Sequence, residues 1–222
     1  DVLEDLLKFS GLPYVNILPF GRKDNNLSIA VGQLKQNYQL FKVCRKEKPN
    51  VLIGTSVAIS HVGKLLGIPS INLNEDDAEI VPLYAKLAYP WATKIIAPNV
   101  CSVGRWHSKK VGYDGYHELA YLHPENFLPD KEIASKYIKT ARPLTLIRFA
   151  KLGAHHDTGV KGISDELALD IIDRLNKKSD IIISSERKLA EGLEPFRKIV
   201  APEDMHHLMA QSSFFIGDSQ TM

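Results

Sequence analysis

Short runs of apolar and β-branched residues alternate along this chain with longer stretches in which apolar positions recur every three or four residues. The runs are PYVNIL at 13–18, NVLIG at 50–54, IPSINL at 68–73, TKIIAP at 93–98, LTLIRF at 144–149, DIIISS at 180–185, KIV at 198–200 and FFIG at 214–217. Runs this short, flanked by Gly, Pro, Asn and Ser, predict buried strands. Helical spacing predicts helices over about 1–11, 27–48, 55–66, 78–89, 164–177, 187–196 and 202–211. In the second of these, Leu27, Val31, Leu34, Tyr38, Phe41 and Cys44 are expected to form a packing face, with Lys35, Lys42, Arg45 and Lys46 on the other, and Pro49 closes the pattern. Gly67 is the expected stop of the third.

Strands alternating with helices predict parallel sheet built from βαβ units, hence an α/β fold of two Rossmann-like, doubly wound lobes. A polar, Pro-bearing segment, HPENFLPDKEIASKYIKTARP, interrupts the alternation. The expected division is a first lobe at 1–122, a linker at 123–143 and the first part of a second lobe from 144 to 222. A chain that opens inside an amphipathic pattern and closes inside a strand–turn unit reads as a fragment, with both lobes incomplete.

Composition adds exclusions. The 222 residues are 44% hydrophobic and 24% charged, as in ordinary globular proteins. With 28 Lys and Arg against 26 Asp and Glu, the net charge of +2 gives no electrostatic case for nucleic acid. Cys44 and Cys101 have no metal-type spacing, so neither a disulfide scaffold nor a zinc site is expected. No apolar run approaches the roughly 20 residues of a membrane span. The expected setting is cytoplasmic, with the basic face of the 27–48 helix as a candidate contact with the inner face of a membrane.

The stretch PNVLIGTSVAISHVGKLLGIPSINLNEDDAEIVPLYAKLAYPWATKIIAPN resembles, in order and spacing, the second half of the N-terminal domain of GT-B glycosyltransferases. The transferase that adds N-acetylglucosamine in peptidoglycan synthesis is the nearest likeness within that group. YDGYHELAYLHPENFLPD and FFIGDSQTM resemble more closely a domain-of-unknown-function family of archaeal and bacterial proteins with the same architecture. The resemblance implies a nucleotide-sugar donor, no cofactor, and an acceptor that in related enzymes can be lipid-linked. It also implies a strand, glycine-bearing loop and helix before Asp1, and further elements beyond Met222.

In open parallel sheets ligands collect at the carboxyl ends of strands, so the candidate residues are those that follow the runs. Gly217, Ser219, Gln220 and Thr221 in GDSQTM resemble the turn where backbone N–H groups and a helix dipole meet a diphosphate; Asp218 or Ser219 would equally cap an ordinary helix. Arg148, Ser185 and Glu186 follow strands of the second lobe and are candidates for the nucleotide pocket, with Asp157 in the loop beyond Arg148 facing sugar. Adjacent side chains diverge, so His155, His156 and Asp157 are not expected to hold a metal. In the first lobe Thr55 and Ser56 either face sugar or cap the next helix, and Asp76 is a second sugar-facing candidate. Glu75 is the carboxylate expected to serve catalysis. His117 and Glu118, in YDGYHELAY, are expected near the hinge and facing the site.

Three functions follow. The first is a glycosyltransferase whose nucleotide-diphosphate sugar lies in the interlobe cleft. The second is a non-hydrolysing UDP-N-acetylglucosamine 2-epimerase; those enzymes carry Asp at the place of Thr55 and a His-Arg motif where this chain reads RFAKLGAHHD. The third is a binding protein that keeps the cleft without turnover, because no self-sufficient catalytic motif is present.

Overall fold

The computed structural model describes residues 2–18, 26–150 and 162–218. In chain order its elements are α1 (Val2–Phe9), α2 (Asn26–Glu47), β1 (Leu52–Gly54), α3 (Val57–Leu66), β2 (Ser70–Leu73), α4 (Pro82–Ala88), β3 (Lys94–Pro98) and β4 (Lys110–Tyr113). There follow α5 (Leu119–Leu122), α6 (Lys131–Ser135), β5 (Leu144–Phe149), α7 (Asp165–Leu175), β6 (Asp180–Ser185), α8 (Met205–Ala210) and β7 (Ser212–Gly217). Two compact units result: Tyr14–Asn126, and Asp1–Pro13 together with Phe127–Met222. The first helix thus belongs with the later residues, where α1 contacts the turn at Pro202–Asp204, and not with the lobe in which the sequence places it.

The Tyr14–Asn126 unit carries four strands, all parallel, in the order β1-β2-β3-β4. Its helices follow from local chemistry. Ser56 is the N-cap of α3, its Oγ accepting from Ala58 N at 3.1 Å. The helix ends at Gly67, whose φ of 69° is left-handed and open to glycine without strain. Lys109 Nζ donates to the carbonyls of Tyr89, Pro90 and Ala92 at 2.8–2.9 Å, which supplies partners where the chain leaves α4. The core packs Val57, Ala85, Ala88, Ile95 and Ala97 around Tyr89, a fully buried side chain. Beside it runs a buried polar chain: Tyr84 Oη donates to Asn72 Oδ1 at 2.9 Å, and Asn72 Nδ2 donates to Ser60 Oγ at 2.9 Å. The strand expected at PYVNIL is absent; residues 13–18 form no strand.

The second unit has three parallel strands in the order β6-β5-β7. A single parallel bridge, Ile183 to Arg197, extends the far side of β6; the strand expected at KIV does not form, and Arg197 lies just before it. Read across the sheet, the chain therefore runs third, second, first, fourth, and its direction of winding reverses between β5 and β7. That reversal is the topological switch point of a doubly wound sheet. Two expectations fail in this unit. Residues 187–196 form no α-helix, only a 3-10 turn at Glu194–Phe196, because Gly192 and Pro195 interrupt the pattern. FFIG is not buried: β7 is the outermost strand, with Phe214 57% and Phe215 38% exposed.

Candidate functional site

At the carboxyl ends of β2, β3 and β4 the chain brings together residues far apart in sequence. Beyond β2, Asn74 Nδ2 donates to Tyr89 Oη at 2.8 Å and to the Asp76 carbonyl at 2.7 Å, which holds the turn that carries Glu75. Beyond β4, Asn99 Nδ2 donates to Asp114 Oδ1 at 2.6 Å, and Gly115 adopts a φ of 123°, closed to a side chain without strain. This turn returns the chain so that His117 N donates to Glu75 Oε2 at 3.0 Å. Glu75 Oε1 lies 3.4 Å from His117 Nδ1. In the neutral ring a carboxylate beside Nδ1 favours the tautomer with its proton there, in which Nε2 carries the lone pair. His117 Nε2 is buried and has no hydrogen-bond partner among the described residues.

Tyr113 stacks on the His117 ring with centroids 5.9 Å apart and planes 11° from parallel. Its hydroxyl is likewise buried without a partner. Burial raises its pKa above the ordinary tyrosine value, and the charges of Glu75 and Glu118 act in the same direction. The phenol therefore stays protonated and is available as a donor. Cys101 donates its thiol to the Glu75 carbonyl at 2.9 Å. Burial first, then Asp77, raises that thiol's pKa, which disfavours the thiolate a nucleophile requires. Glu75, His117 and Tyr113 thus form an oriented acid–base group with two unpaired polar atoms.

At the switch point of the other unit, Arg148 closes β5 and donates through one terminal nitrogen to Ser184 Oγ at 2.7 Å and through the other to the Glu186 carboxylate. Asp218 follows β7 and accepts from Ala150 N at 2.7 Å and Ile163 N at 3.2 Å. Its carboxylate thereby holds the backbone N–H groups on both sides of residues 151–161.

The profile of DUF354, "Protein of unknown function", matches residues 5–222. The chain belongs to the DUF354 family. No curated protein matches it. Among solved structures, this DUF354 chain is similar to the UDP-GlcNAc 2-epimerase of Neisseria meningitidis bound to UDP-GlcNAc. The TM-score is 0.66 at 14% identity, covering 99% of this chain and 67% of that one. The Listeria monocytogenes protein assigned as a UDP-N-acetylglucosamine 2-epimerase gives 0.61 at 12% identity, over 99% and 63%. MurG of Acinetobacter baumannii gives 0.41 at 12% identity, over 97% and 53%. The DUF354 chain is α/β, with Rossmann-like parallel sheets of the GT-B type.

Of the residues singled out in sequence, Glu75 and His117 meet. Glu118 opens α5, and Burial followed by its charge raises the pKa of Tyr121. Asp76 is exposed; Thr55 is exposed as well, while the Ser56 hydroxyl is engaged in capping α3. Ser185 Oγ is taken up locally, accepting from Arg187 N at 3.2 Å and donating to Arg187 O at 2.8 Å. Gly217 ends β7. Asp157, Ser219, Gln220 and Thr221 lie outside the described residues. Sequence reasoning missed Asn74, Asn99 and Asp218, each of which directly follows a run marked as strand, and Tyr113, which ends a strand, β4, that was not marked. Among the described residues no three His, Cys, Asp or Glu are placed to hold a metal ion, and no helix is long and apolar enough to cross a membrane.

A cavity of about 240 Å³ in the DUF354 chain lies elsewhere, at the amino end of β6, lined by Tyr137, Thr140, Asn176, Asp180, Phe196 and Lys198 among others. Its lining includes none of the buried unpaired polar atoms. The strand carboxyl ends, where oriented and unpaired groups converge, are the better candidate site.

Proposed function

We propose that this DUF354 chain belongs to an enzyme that transfers a glycosyl group from a nucleotide-diphosphate sugar. The observation that carries the reading is the unpaired Nε2 of His117, with Glu75 set on the opposite side of the ring. In this role Nε2 takes the proton of an acceptor hydroxyl as its oxygen forms a bond to the anomeric carbon. The bond from that carbon to the diphosphate breaks, and the nucleoside diphosphate leaves with the electron pair. Glu75 stabilises the imidazolium that results, and Tyr113 Oη donates to a sugar or acceptor oxygen. The leaving diphosphate is assigned to the switch point of the second unit, at Arg148. Catalysis is then positioning plus charge stabilisation, with no cofactor required.

Val31, Leu34 and Tyr38 do not pack opposite the basic residues as expected from the sequence: they are exposed on the face of α2 that carries Lys35, Lys42, Arg45 and Lys46. This face supports a lipid-linked acceptor at an anionic membrane surface, a placement checked by co-sedimentation with anionic phospholipid vesicles.

The test is calorimetry of the full-length polypeptide with UDP-, GDP- and dTDP-sugars, followed by an assay for released nucleoside diphosphate. Binding of one sugar nucleotide with acceptor-dependent release is the expected result; binding of none overturns the reading. The second reading is 2-epimerisation, which the fold likeness to two epimerases and the same proton-transfer group support. Formation of UDP-N-acetylmannosamine from UDP-N-acetylglucosamine would select it, and binding without any turnover would select a non-catalytic binding protein.

A further inference from the structure

Two arginines stand near the switch point, and they are held in different ways. Arg187 is fixed on all sides: its guanidinium donates to Asp165 Oδ1 at 2.6 Å and to the Ile163 carbonyl at 3.0 Å, and lies 4.6 Å from the centre of the Phe149 ring. Arg148 is fixed on one side only. Its side chain is 19% exposed, one terminal nitrogen is bound to the buried Ser184, and its Nε is buried without a partner among the described residues. The remaining terminal nitrogen is met by Glu186, whose side chain is 52% exposed.

The asymmetry has a thermodynamic consequence. Glu186 is the more exposed member of the pair, so when the two part its carboxylate is the better hydrated and the unmet charge is that of Arg148. Arg148 remains in place, anchored by Ser184, with two of its donor positions then unpaired in a largely desolvated setting where an anion is strongly favoured. The neighbouring backbone donors Ala150 N and Ile163 N offer no alternative seat, since Asp218 occupies both.

We propose that Glu186 is a displaceable internal counter-ion: it occupies Arg148 until a phosphate group of the ligand takes its place, and so sets how tightly this seat holds a diphosphate. The inference rests on the reading of this unit as the diphosphate half of the site. It assigns Glu186 a role opposite to that of a ligand contact, which would strengthen binding.

The test is calorimetric titration of the full-length polypeptide with UDP and, separately, with inorganic pyrophosphate. Wild type is compared with Glu186→Gln, Arg148→Ala and the double variant, each checked for an unchanged far-ultraviolet circular dichroism spectrum. Glu186→Gln is expected to bind both ligands roughly two- to fivefold more tightly. Arg148→Ala is expected to weaken both by roughly tenfold or more, and adding Glu186→Gln to it should restore nothing. A structural role for the ion pair would move affinity the other way. If UDP binds wild type and Glu186→Gln leaves its affinity unchanged or lower, the counter-ion inference falls while the diphosphate reading stands. If pyrophosphate binding tightens but UDP binds neither protein, the anion seat stands and the nucleotide reading falls. If neither ligand binds any of the four proteins, both fall.

Discussion

Asp204 offers the clearest test of the energetics of the second unit. It is 7% exposed, and its Oδ2 accepts from Tyr137 Oη at 2.8 Å and from Lys136 Nζ at 3.1 Å. Tyr137 Oη in turn accepts from Ala201 N at 3.2 Å, so one carboxylate joins the end of α6 to the turn that leads into α8. Replacing Asp204 by Ala leaves the tyrosine hydroxyl without its acceptor, at a cost of about 1–3 kcal/mol. Lys136 is 58% exposed and can return to water, so losing its pair adds only about 0–1 kcal/mol. The expected destabilisation is therefore about 1–4 kcal/mol. Asp204→Asn keeps shape and one acceptor oxygen and should cost about half as much.

The charge can be isolated by pH. Burial pushes the Asp204 carboxyl upward, but the bonds from Tyr137 and Lys136 outweigh it and hold its pKa below the ordinary value of 3.8. A group whose pKa is depressed in the folded state stabilises fully above its unfolded value, and that contribution is lost as pH falls through the folded one. The gap between wild type and Asp204→Asn should hence be constant near neutrality and close below about pH 4. Urea unfolding followed by circular dichroism measures it. Trp91 and Trp106 both lie in the Tyr14–Asn126 unit, so their fluorescence reports the unit that lacks Asp204. A gap that persists unchanged into acid, or an Asp204→Ala variant as stable as wild type, would refute the reasoning.

Three further outcomes are expected. Tyr84→Phe removes the donor to the fully buried Asn72 Oδ1 without opening a cavity, and should lower stability by about 1–3 kcal/mol in urea unfolding. Ser56→Ala should cost about 1 kcal/mol as a lost N-cap and leave the turnover of the full-length polypeptide unchanged, which separates capping from contact with sugar. His117→Gln should retain ligand affinity in calorimetry while turnover falls by roughly 10²–10⁴-fold; turnover within a factor of two of wild type would remove His117 from proton transfer.

The elements that could be read from the chain are those in which local and tertiary signals agree. α3 combines a capping serine, an apolar face and a terminal glycine, and α7 likewise starts from Ser164, whose Oγ accepts from Leu167 N at 3.2 Å. The 187–196 segment misled because Leu189 and Leu193 are truly buried, at 5% and 0% exposed, and stand at helical spacing. Their burial comes from an irregular turn packed on the sheet, so periodicity recorded the burial and not the conformation. β7 misled in the opposite sense. Its apolar residues fit an interior strand, and whether a strand lies inside or at the edge is decided by strand order, which no local pattern carries.

Strand order also decides which parts of the site were legible. In the first sheet order follows the chain, so the residues after β2 could be marked as a strand-end station, and those after β4 were singled out as a segment near the hinge. Their meeting could not be read, because Glu75 and His117 lie on either side of β3 and 42 positions apart. It depends on the Gly115 turn directing the chain back across the strand ends. In the second sheet the order reverses, and Asp218 reaches Ala150 and Ile163, 68 and 55 positions away. Residue types at strand ends are thus enough to nominate carboxylates, histidines and arginines. Their partners are not, and here the partner sets the chemistry: the carboxylate of Glu75 orients an imidazole, whereas the carboxylates of Asp218 and Glu186 occupy donors that an anionic ligand would otherwise meet.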